Sequence, residues 1–153
     1  MRYLAIDLGD RRTGIAAGDS VLRLASPVRV IEVPTEQRGG EALLDAIVAA
    51  VEEQLGPARG GGAGELVIGL PLNMDGTEGP RAKLVRAFAA RVTERTGRAV
   101  RFQDERLTSA AADWSMARSG LTRGQKKDRR DAIAAAVMLQ GFLDALGRER
   151  GAE

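Results

Sequence analysis

The stretch of residues 3–19 constrains the fold more than any other part of this chain. Residues 3–6, Tyr-Leu-Ala-Ile, form an apolar run that predicts a buried strand. Residues 13–17 predict a second strand, and Gly9 and Asp10 between the two are typical of a tight turn. We therefore predict a β-hairpin whose turn is charged.

Asp7 stands where the apolar run of this hairpin stops. Burying a carboxylate costs several kcal/mol unless the group is paired, hydrogen-bonded or bound to a cation. Asp7 is therefore a candidate ligand for a hard metal ion such as Mg²⁺. The alternative is a turn-forming Asp that bonds its own backbone, and the hairpin alone leaves both interpretations open.

Composition narrows the chemistry that the chain can perform. Its 153 residues include no Cys and no His, which removes thiolate zinc sites, His metal ligands and nucleophiles activated by His. Hydrolysis would then depend on carboxylates, with Lys or Tyr as weaker options. Aromatic residues make up only 3%, so few side chains are available to stack on the bases of a nucleic acid. The net charge is only +2, so an anionic partner would need a local basic patch.

The length suits one domain, which we place at residues 1–146, with residues 147–153 as a frayed tail. No apolar run approaches the ~20 residues of a membrane span, and the N-terminus lacks a signal-peptide pattern. We therefore expect a cytoplasmic protein without a membrane partner.

The pattern along the chain predicts an α/β fold. Residues 24–33 predict a third strand, where Pro27 favours an edge position or a bulge. We predict that Asp128 caps the N-terminus of the last helix. The other elements follow from periodicity: helices at 41–55, 81–96, 110–117 and 131–146, strands at 65–70 and 99–102, and loops at 59–64, 71–80 and 119–127. We expect a five-stranded mixed sheet, with a three-strand antiparallel meander and two parallel strands, flanked by helices.

Three acids occupy comparable places in this predicted fold. Asp7 lies at the end of strand one, Glu105 follows strand five, and Asp131 begins the final helix. If strands one, four and five are parallel neighbours, Asp7 and Glu105 open onto the same edge of the sheet, where Asp131 can join them. Such a trio binds one or two Mg²⁺ or Mn²⁺ ions, which activate water for phosphodiester hydrolysis.

Each acid also has a simpler interpretation. Glu105 can pair with Arg106 or Arg101 on the surface, where ion pairs contribute little. Asp131 can interact with the dipole of its helix. Spacing along the sequence does not decide between these interpretations and a shared site.

Four stretches of the chain carry a family resemblance: IDLGDRRTGIAAGD, VIGLPLNMDGTEGPRA, DERLTS and KKDRRDAIAAAVML. Together they resemble the YqgF (RuvX) family, whose members are described as Holliday junction resolvases and as pre-16S ribosomal RNA nucleases. The second and third stretches are particularly specific. The resemblance implies an RNase H-like fold, with Asp7, Glu105 and Asp131 as catalytic and metal-binding acids.

Two positions depart from the family pattern. The family commonly has Thr or Glu followed by Lys where this chain has Asp10 and Arg11. Arg11 keeps the positive charge, whereas Asp10 adds an acid beside the expected metal site. Ser109 stands where the family usually has Thr, and both residues can cap a helix.

Basic residues are concentrated in or beside these stretches, as a nucleic-acid partner requires. Such side chains position a substrate through its phosphates without reading its sequence. We predict nucleic-acid contacts from Arg11, Arg12, Asn73, Arg81, Arg106, Arg123, Lys126, Lys127 and Arg130. For any single Arg, solvated surface charge is the simpler interpretation, but five basic residues between 123 and 130 favour a binding role.

The predicted function is a metal-dependent nuclease for structured RNA, such as pre-16S rRNA, or for branched DNA. A junction with two-fold symmetry would favour a homodimer. One alternative is a binding module of the same fold without catalysis. Another is an ATP-binding protein of the actin and sugar-kinase type, for which 153 residues leave room for only one of the two domains required.

Overall fold

The computed structural model describes residues 1–57, 64–105 and 123–151, with the side chains of residues 129–149 in the last range. The strands are β1 (Arg2–Leu8), β2 (Thr13–Asp19), β3 (Leu24–Ile31), β4 (Glu65–Leu70) and β5 (Val100–Asp104). The helices are α1 (Glu41–Leu55), α2 (Pro80–Thr96) and α3 (Arg123–Gly151).

The five strands form one mixed sheet in the order β3-β2-β1-β4-β5. β1, β2 and β3 form the predicted antiparallel meander, whereas β4 runs parallel to β1 and β5 runs parallel to β4. The predicted sheet is confirmed. Because β1, β4 and β5 are parallel neighbours, their carboxyl ends meet at one edge.

The two faces of this sheet carry different side chains. Large aliphatic residues cover one face and pack beneath α1 and α2, and we call it the aliphatic face: Leu4, Ile6, Ile15, Leu66 and Ile68. Small residues cover much of the other, which packs against α3, and we call it the small-residue face: Ala5, Gly14, Ala16, Gly18, Val67 and Gly69. The side-chain alternation of a strand separates the two sets, so both faces are buried by helices.

The edge strand β3 combines both features that Pro27 predicted. Its pairing with β2 passes from Arg29 to Pro27, so Val28 is an extra residue in a bulge. At the start of β3, Gln140 of α3 accepts a hydrogen bond from the Ala25 N–H at 3.0 Å and donates one to a carbonyl of the preceding turn. The amide of Gln140 thus satisfies backbone groups that the edge would otherwise leave open.

Helix α1 has the predicted bounds, and α1 and α2 each end immediately before a glycine. The Gly56 N–H bonds the Glu52 carbonyl at 2.9 Å. Gly97 adopts a left-handed conformation with φ of 69°, which residues with a Cβ rarely adopt.

The bounds predicted for the last helix are wrong. Helix α3 begins at Arg123, so residues 123–127 are helical instead of a loop, and Asp128 lies inside the helix instead of capping it. The basic residues there are good helix formers, which favours helix over the predicted loop. The helix also continues to Gly151, beyond the predicted end at Leu146 and into the predicted frayed tail.

Two predicted elements lie outside the described residues: the helix at 110–117 and the loop at 59–64, except Gly64. Among the helices of the described ranges, none combines the length and the apolar character needed to cross a membrane.

Candidate active site

Asp7 lies in the central strand, one residue before β1 ends. It pairs with Gly14 of β2, and because Ile6 pairs with Ile68, Gly69 of β4 is its neighbour on the other side. Asp7 follows Ala5 on the small-residue face, which is covered by α3. The strands on both sides of Asp7 therefore present glycine at the level of its carboxyl group.

Glu105 reaches Asp7 from β5 across β4. The Glu105 N–H donates to the Leu70 carbonyl at 3.2 Å, which extends the parallel pairing of the two strands by one residue. Its side chain lies against Gly69, and its carboxyl group shares a hydrogen bond with that of Asp7. Two carboxyl groups can share a hydrogen bond only if one of them holds a proton.

The pKa of Asp7 is raised to about 8, and burial is the largest cause. The hydrogen bond with Glu105 and the charge of that residue contribute to the rise, whereas the nearby Arg81 guanidinium opposes it. A carboxyl group in this state gains from any cation that replaces its proton.

Asp131 approaches from α3, in the third turn of the helix instead of at its start. The backbone carbonyl of Asp131 lies directly over Gly14, the partner of Asp7 in the sheet. Burial and the charge of Asp7 raise the pKa of Asp131, and the charges of Arg12 and Arg130 oppose that rise. The close approach of helix and strand, not the helix terminus, brings Asp131 to the other acids.

The three acids interact, but they are not arranged as a complete metal-binding cluster. Within the described ranges, no three His, Cys, Asp or Glu side chains are already grouped closely enough to hold a metal ion. Asp7 and Glu105 are hydrogen-bonded, whereas Asp131 interacts with Asp7 only through its charge. The donors are all carboxylate oxygens, which fit Mg²⁺ or Mn²⁺.

Asp10, the unexpected acid of the turn, pairs with an arginine. Its side chain is 80% exposed, and its Oδ1 lies 2.6 Å from Nη1 of Arg81. The turn itself is held by Thr35, whose hydroxyl donates to the Gly9 carbonyl at 2.8 Å and whose N–H donates to the Asp10 carbonyl at 2.9 Å. Asp10 thus interacts with the first turn of α2.

A basic depression borders the acids on the side of α3. It has a volume of about 510 Å³. Its lining includes three of the arginines predicted to bind nucleic acid together with Asp131: Gly9, Asp10, Arg11, Arg12, Arg130 and Asp131. The depression therefore joins positive charge directly to one of the acids.

Two other predicted contact residues are engaged within the protein. Arg81 pairs with Asp10, and its Nη2 lies 3.4 Å from the Leu8 carbonyl. The Asn73 amide donates to the Thr77 hydroxyl at 3.0 Å, within the loop that leaves β4. A role for Asn73 in nucleic-acid binding stays a prediction.

Four predicted contact residues are not described at the level of side chains. Arg106 lies outside the described residues altogether. Arg123, Lys126 and Lys127 belong to the first two turns of α3, but their side chains are outside the described part. Of the two arginines considered as surface partners of Glu105, Arg101 pairs with Glu65 at 3.0 Å, and Arg106 lies outside the described residues.

The sequence analysis missed the residues that surround the acids. Gly14 and Gly69 lie beside Asp7 in the sheet, and Thr35 holds the turn. The signal for the glycines is present in the strand sequences GIAAG and VIGL, where small residues interrupt buried strands. The sequence pattern places Pro34 and Thr35 in a turn, but it does not indicate that Thr35 bonds the distant Gly9 and Asp10.

Comparison with known proteins places the chain in a family. A family model described as "RuvX: Holliday junction resolvase" matches residues 1–145. A protein from Anaeromyxobacter sp. strain Fw109-5, named "Putative pre-16S rRNA nuclease", is 43% identical over 94% of this chain and 97% of its own length. A protein of the same name from Agathobacter rectalis is 36% identical, over 98% of this chain and 99% of its own length.

Solved structures show the fold. RuvC from Thermus thermophilus in complex with a Holliday junction substrate matches with a TM-score of 0.56 and 17% identity, over 96% of each chain. A second structure of T. thermophilus RuvC matches with a TM-score of 0.52, over 96% of this chain and 97% of that chain. The RNase H-like architecture expected from the sequence is confirmed.

Proposed function

The chain belongs to the RuvX family, and we propose that it is a divalent-metal-dependent nuclease that hydrolyses phosphodiesters in structured nucleic acid. One observation carries the proposal. Carboxyl groups from the first strand, the end of the fifth strand and the last helix interact with one another beside an arginine-lined depression. This combination supplies both metal ligands and phosphate contacts.

Asp7, Glu105 and Asp131 would hold the metal. Asp7 has a pKa of about 8, so it loses its proton most readily in mildly alkaline solution or when a cation competes for the site. A bound Mg²⁺ or Mn²⁺ ion would supply an activated water and stabilise the leaving oxygen. In the metal-free protein, the hydrogen bond between Glu105 and Asp7 keeps the two carboxyl groups close to each other.

Arg11, Arg12 and Arg130 would hold the phosphates of the substrate next to Asp131. Guanidinium groups suit this task because they match the geometry of phosphate oxygens. Contacts of this kind position a backbone without reading base sequence, so they suit a substrate recognised by shape. Arg81 adds positive charge on the opposite side of the turn.

The names of the relatives suggest two substrates, a precursor of 16S rRNA and a four-way DNA junction. Either substrate would place the protein in the cytoplasm. The two-fold symmetry of a junction would suit a homodimer, with one site for each strand that is cut. The same site chemistry serves both substrates, because both present phosphodiesters.

A cleavage assay with matched substrates tests the proposal. RNA hairpins that contain the junction between leader and 16S sequence are compared with synthetic four-way DNA junctions, each with Mn²⁺ or with EDTA. Asp7→Asn serves as the inactive control, because the amide keeps the shape of the side chain but lacks its charge. We expect Mn²⁺-dependent cleavage of one substrate by the wild type only. Binding of substrate without cleavage in any metal would identify a binding module instead.

A further inference from the structure

The space above β4 is as important to the candidate site as the acids themselves. Gly69 lies between Asp7 and Glu105, and the side chain of Glu105 passes over it. A Cβ atom built on Gly69 would lie 2.8 Å from Oε1 and 2.9 Å from Cγ of Glu105. It would also lie 2.8 Å from Sδ of Met138 in α3. Carbon atoms do not approach other heavy atoms that closely without repulsion.

We propose that Gly69 is a positioning residue, which leaves open the path along which Glu105 reaches Asp7. The inference rests on the proposed function, since it concerns the acids that would hold the metal. Any side chain at position 69 would crowd the Glu105 side chain and Met138 together. Movement of Glu105 to relieve this strain would take its carboxyl group away from Asp7.

Gly14 shows the same arrangement on the other side of Asp7, with a different consequence. A Cβ atom on Gly14 would overlap the backbone carbonyl of Asp131 and lie 2.9 Å from the backbone nitrogen of Ala132. Backbone atoms of a packed helix cannot move aside independently, so a substitution there displaces α3. Gly69 is the sharper test because the atoms it meets belong to side chains.

Gly18 provides a matched control on the same face and beneath the same helix. A Cβ atom there would lie 2.9 Å from the Leu24 carbonyl oxygen, 3.0 Å from Cδ2 of Leu139 and 3.0 Å from Cδ1 of Leu143. The crowding is similar to that at Gly69, but none of these atoms belongs to an acid. Gly18→Ala therefore adds the same methyl group beneath the same helix without touching an acid, and the melting temperatures compare the packing costs of the two variants.

The experiment measures Mn²⁺ affinity by electron paramagnetic resonance at about pH 8.5, with the melting temperature of each variant as a check on folding. We expect Gly69→Ala to weaken Mn²⁺ binding about tenfold or more, the effect typical of residues that orient ligands. Gly18→Ala should bind as the wild type does. Equal affinities of Gly69→Ala and Gly18→Ala would overturn the role of Gly69 and leave the proposed function intact.

Two further outcomes are distinguishable. A wild type that binds no Mn²⁺ would overturn the proposed function, and this inference with it. If Gly69→Ala does not fold, the same comparison is made in a Met138→Val background, where the shorter side chain frees the space that sulfur occupied. Gly69→Ala added to Met138→Val then retains only the conflict with Glu105. A loss of affinity relative to Met138→Val supports the inference, and an unchanged affinity overturns it.

Discussion

The two faces of the sheet belong to the same strands but differ in side-chain size and in how closely helices approach them. The aliphatic face is built from Leu, Ile and Val side chains that interlock with α1 and α2. The small-residue face holds Ala and Gly, and α3 approaches it so closely that the Asp131 backbone lies on Gly14. Large side chains keep a helix at a distance and supply apolar burial, whereas small ones let backbone and polar groups come together.

The acids lie on the face that contributes less apolar burial. Asp7 follows Ala5 on the small-residue face, and Ile6 between them points to the opposite side. Apolar burial on the aliphatic face therefore offsets the destabilising repulsion among the acids, although that face does not contact them. If this division is real, substitutions on the two faces must respond differently to pH and to metal.

The largest expected difference is the response to pH. The pKa of Asp7 rises from 3.8 to about 8 on folding, so the folded state binds more protons than the unfolded state between these values. The metal-free protein should lose stability as pH rises from about 4 to 8, by on the order of 5 kcal/mol. Urea denaturation across this range measures it. Asp7→Asn should flatten most of the slope, leaving the smaller contribution of Asp131, whose pKa is also raised. An unchanged slope in Asp7→Asn would contradict the assignment.

A substitution on the aliphatic face should behave in the opposite way. Ile68 is fully buried, and Ile68→Ala should lower the free energy of unfolding by about 3 kcal/mol through lost burial and the cavity it leaves. The loss should be the same at every pH, and Mn²⁺ affinity should stay within about twofold. A pH-dependent loss would show that the two faces are coupled.

Only substitutions on the small-residue face should reduce the stabilisation of the protein by Mn²⁺. At a free Mn²⁺ concentration of about a hundred times its dissociation constant, binding to the folded state adds roughly 2.7 kcal/mol. Thermal melts at about pH 8.5 should show this stabilisation in the wild type and in Ile68→Ala, but much less of it in Asp131→Ala. Asp131→Ala must also be melted without metal, because removing a repelling charge can itself stabilise the protein. Equal Mn²⁺ shifts in the wild type and Asp131→Ala would remove Asp131 from the site.

The smallest effect concerns the beginning of α3, the helix that covers the small-residue face. Replacing Lys126 and Lys127 by Ala should weaken substrate binding. It should also make the negative slope of log affinity against log salt shallower by about two. Lys83→Ala, on the helix of the aliphatic face, is the matched control and should leave the slope unchanged. An identical slope in the double variant would assign both lysines to solvated surface.

Features with a strong local signal could be predicted from the sequence. The meander, the parallel strands and α1 follow from apolar periodicity and from glycines at the ends of elements. The start of α3 could not, because Gly124 and Asp128 resemble a loop and a cap until packing against the sheet extends the helix. The contact that brings Asp131 to Asp7 could not be predicted either. It depends on the close approach of α3 to Gly14, and these two segments are far apart in the sequence.

The site shows the same limit. Asp7 and Glu105 could be singled out because acids at the ends of buried strands are unusual, whereas Asp131 was singled out as the start of a helix that in fact begins at Arg123. Gly69 could not, since its importance depends on which side chain crosses it. The partner of Asp10 was equally hidden, because Arg81 follows it by seventy-one positions and only the fold brings them together.

The closed edge of β3 restricts how two copies of this chain can associate. Successive outward N–H groups of an edge strand lie two residues apart, so those near the start of β3 belong to residues 25 and 27. The first is occupied by Gln140, and Pro27 has no N–H to offer. The bulge at Val28 then displaces the groups beyond. A second copy therefore cannot extend the sheet through the start of β3, and a functional pair of subunits would have to meet through another surface. The same closure hinders strand addition and fibre growth at this edge of the sheet.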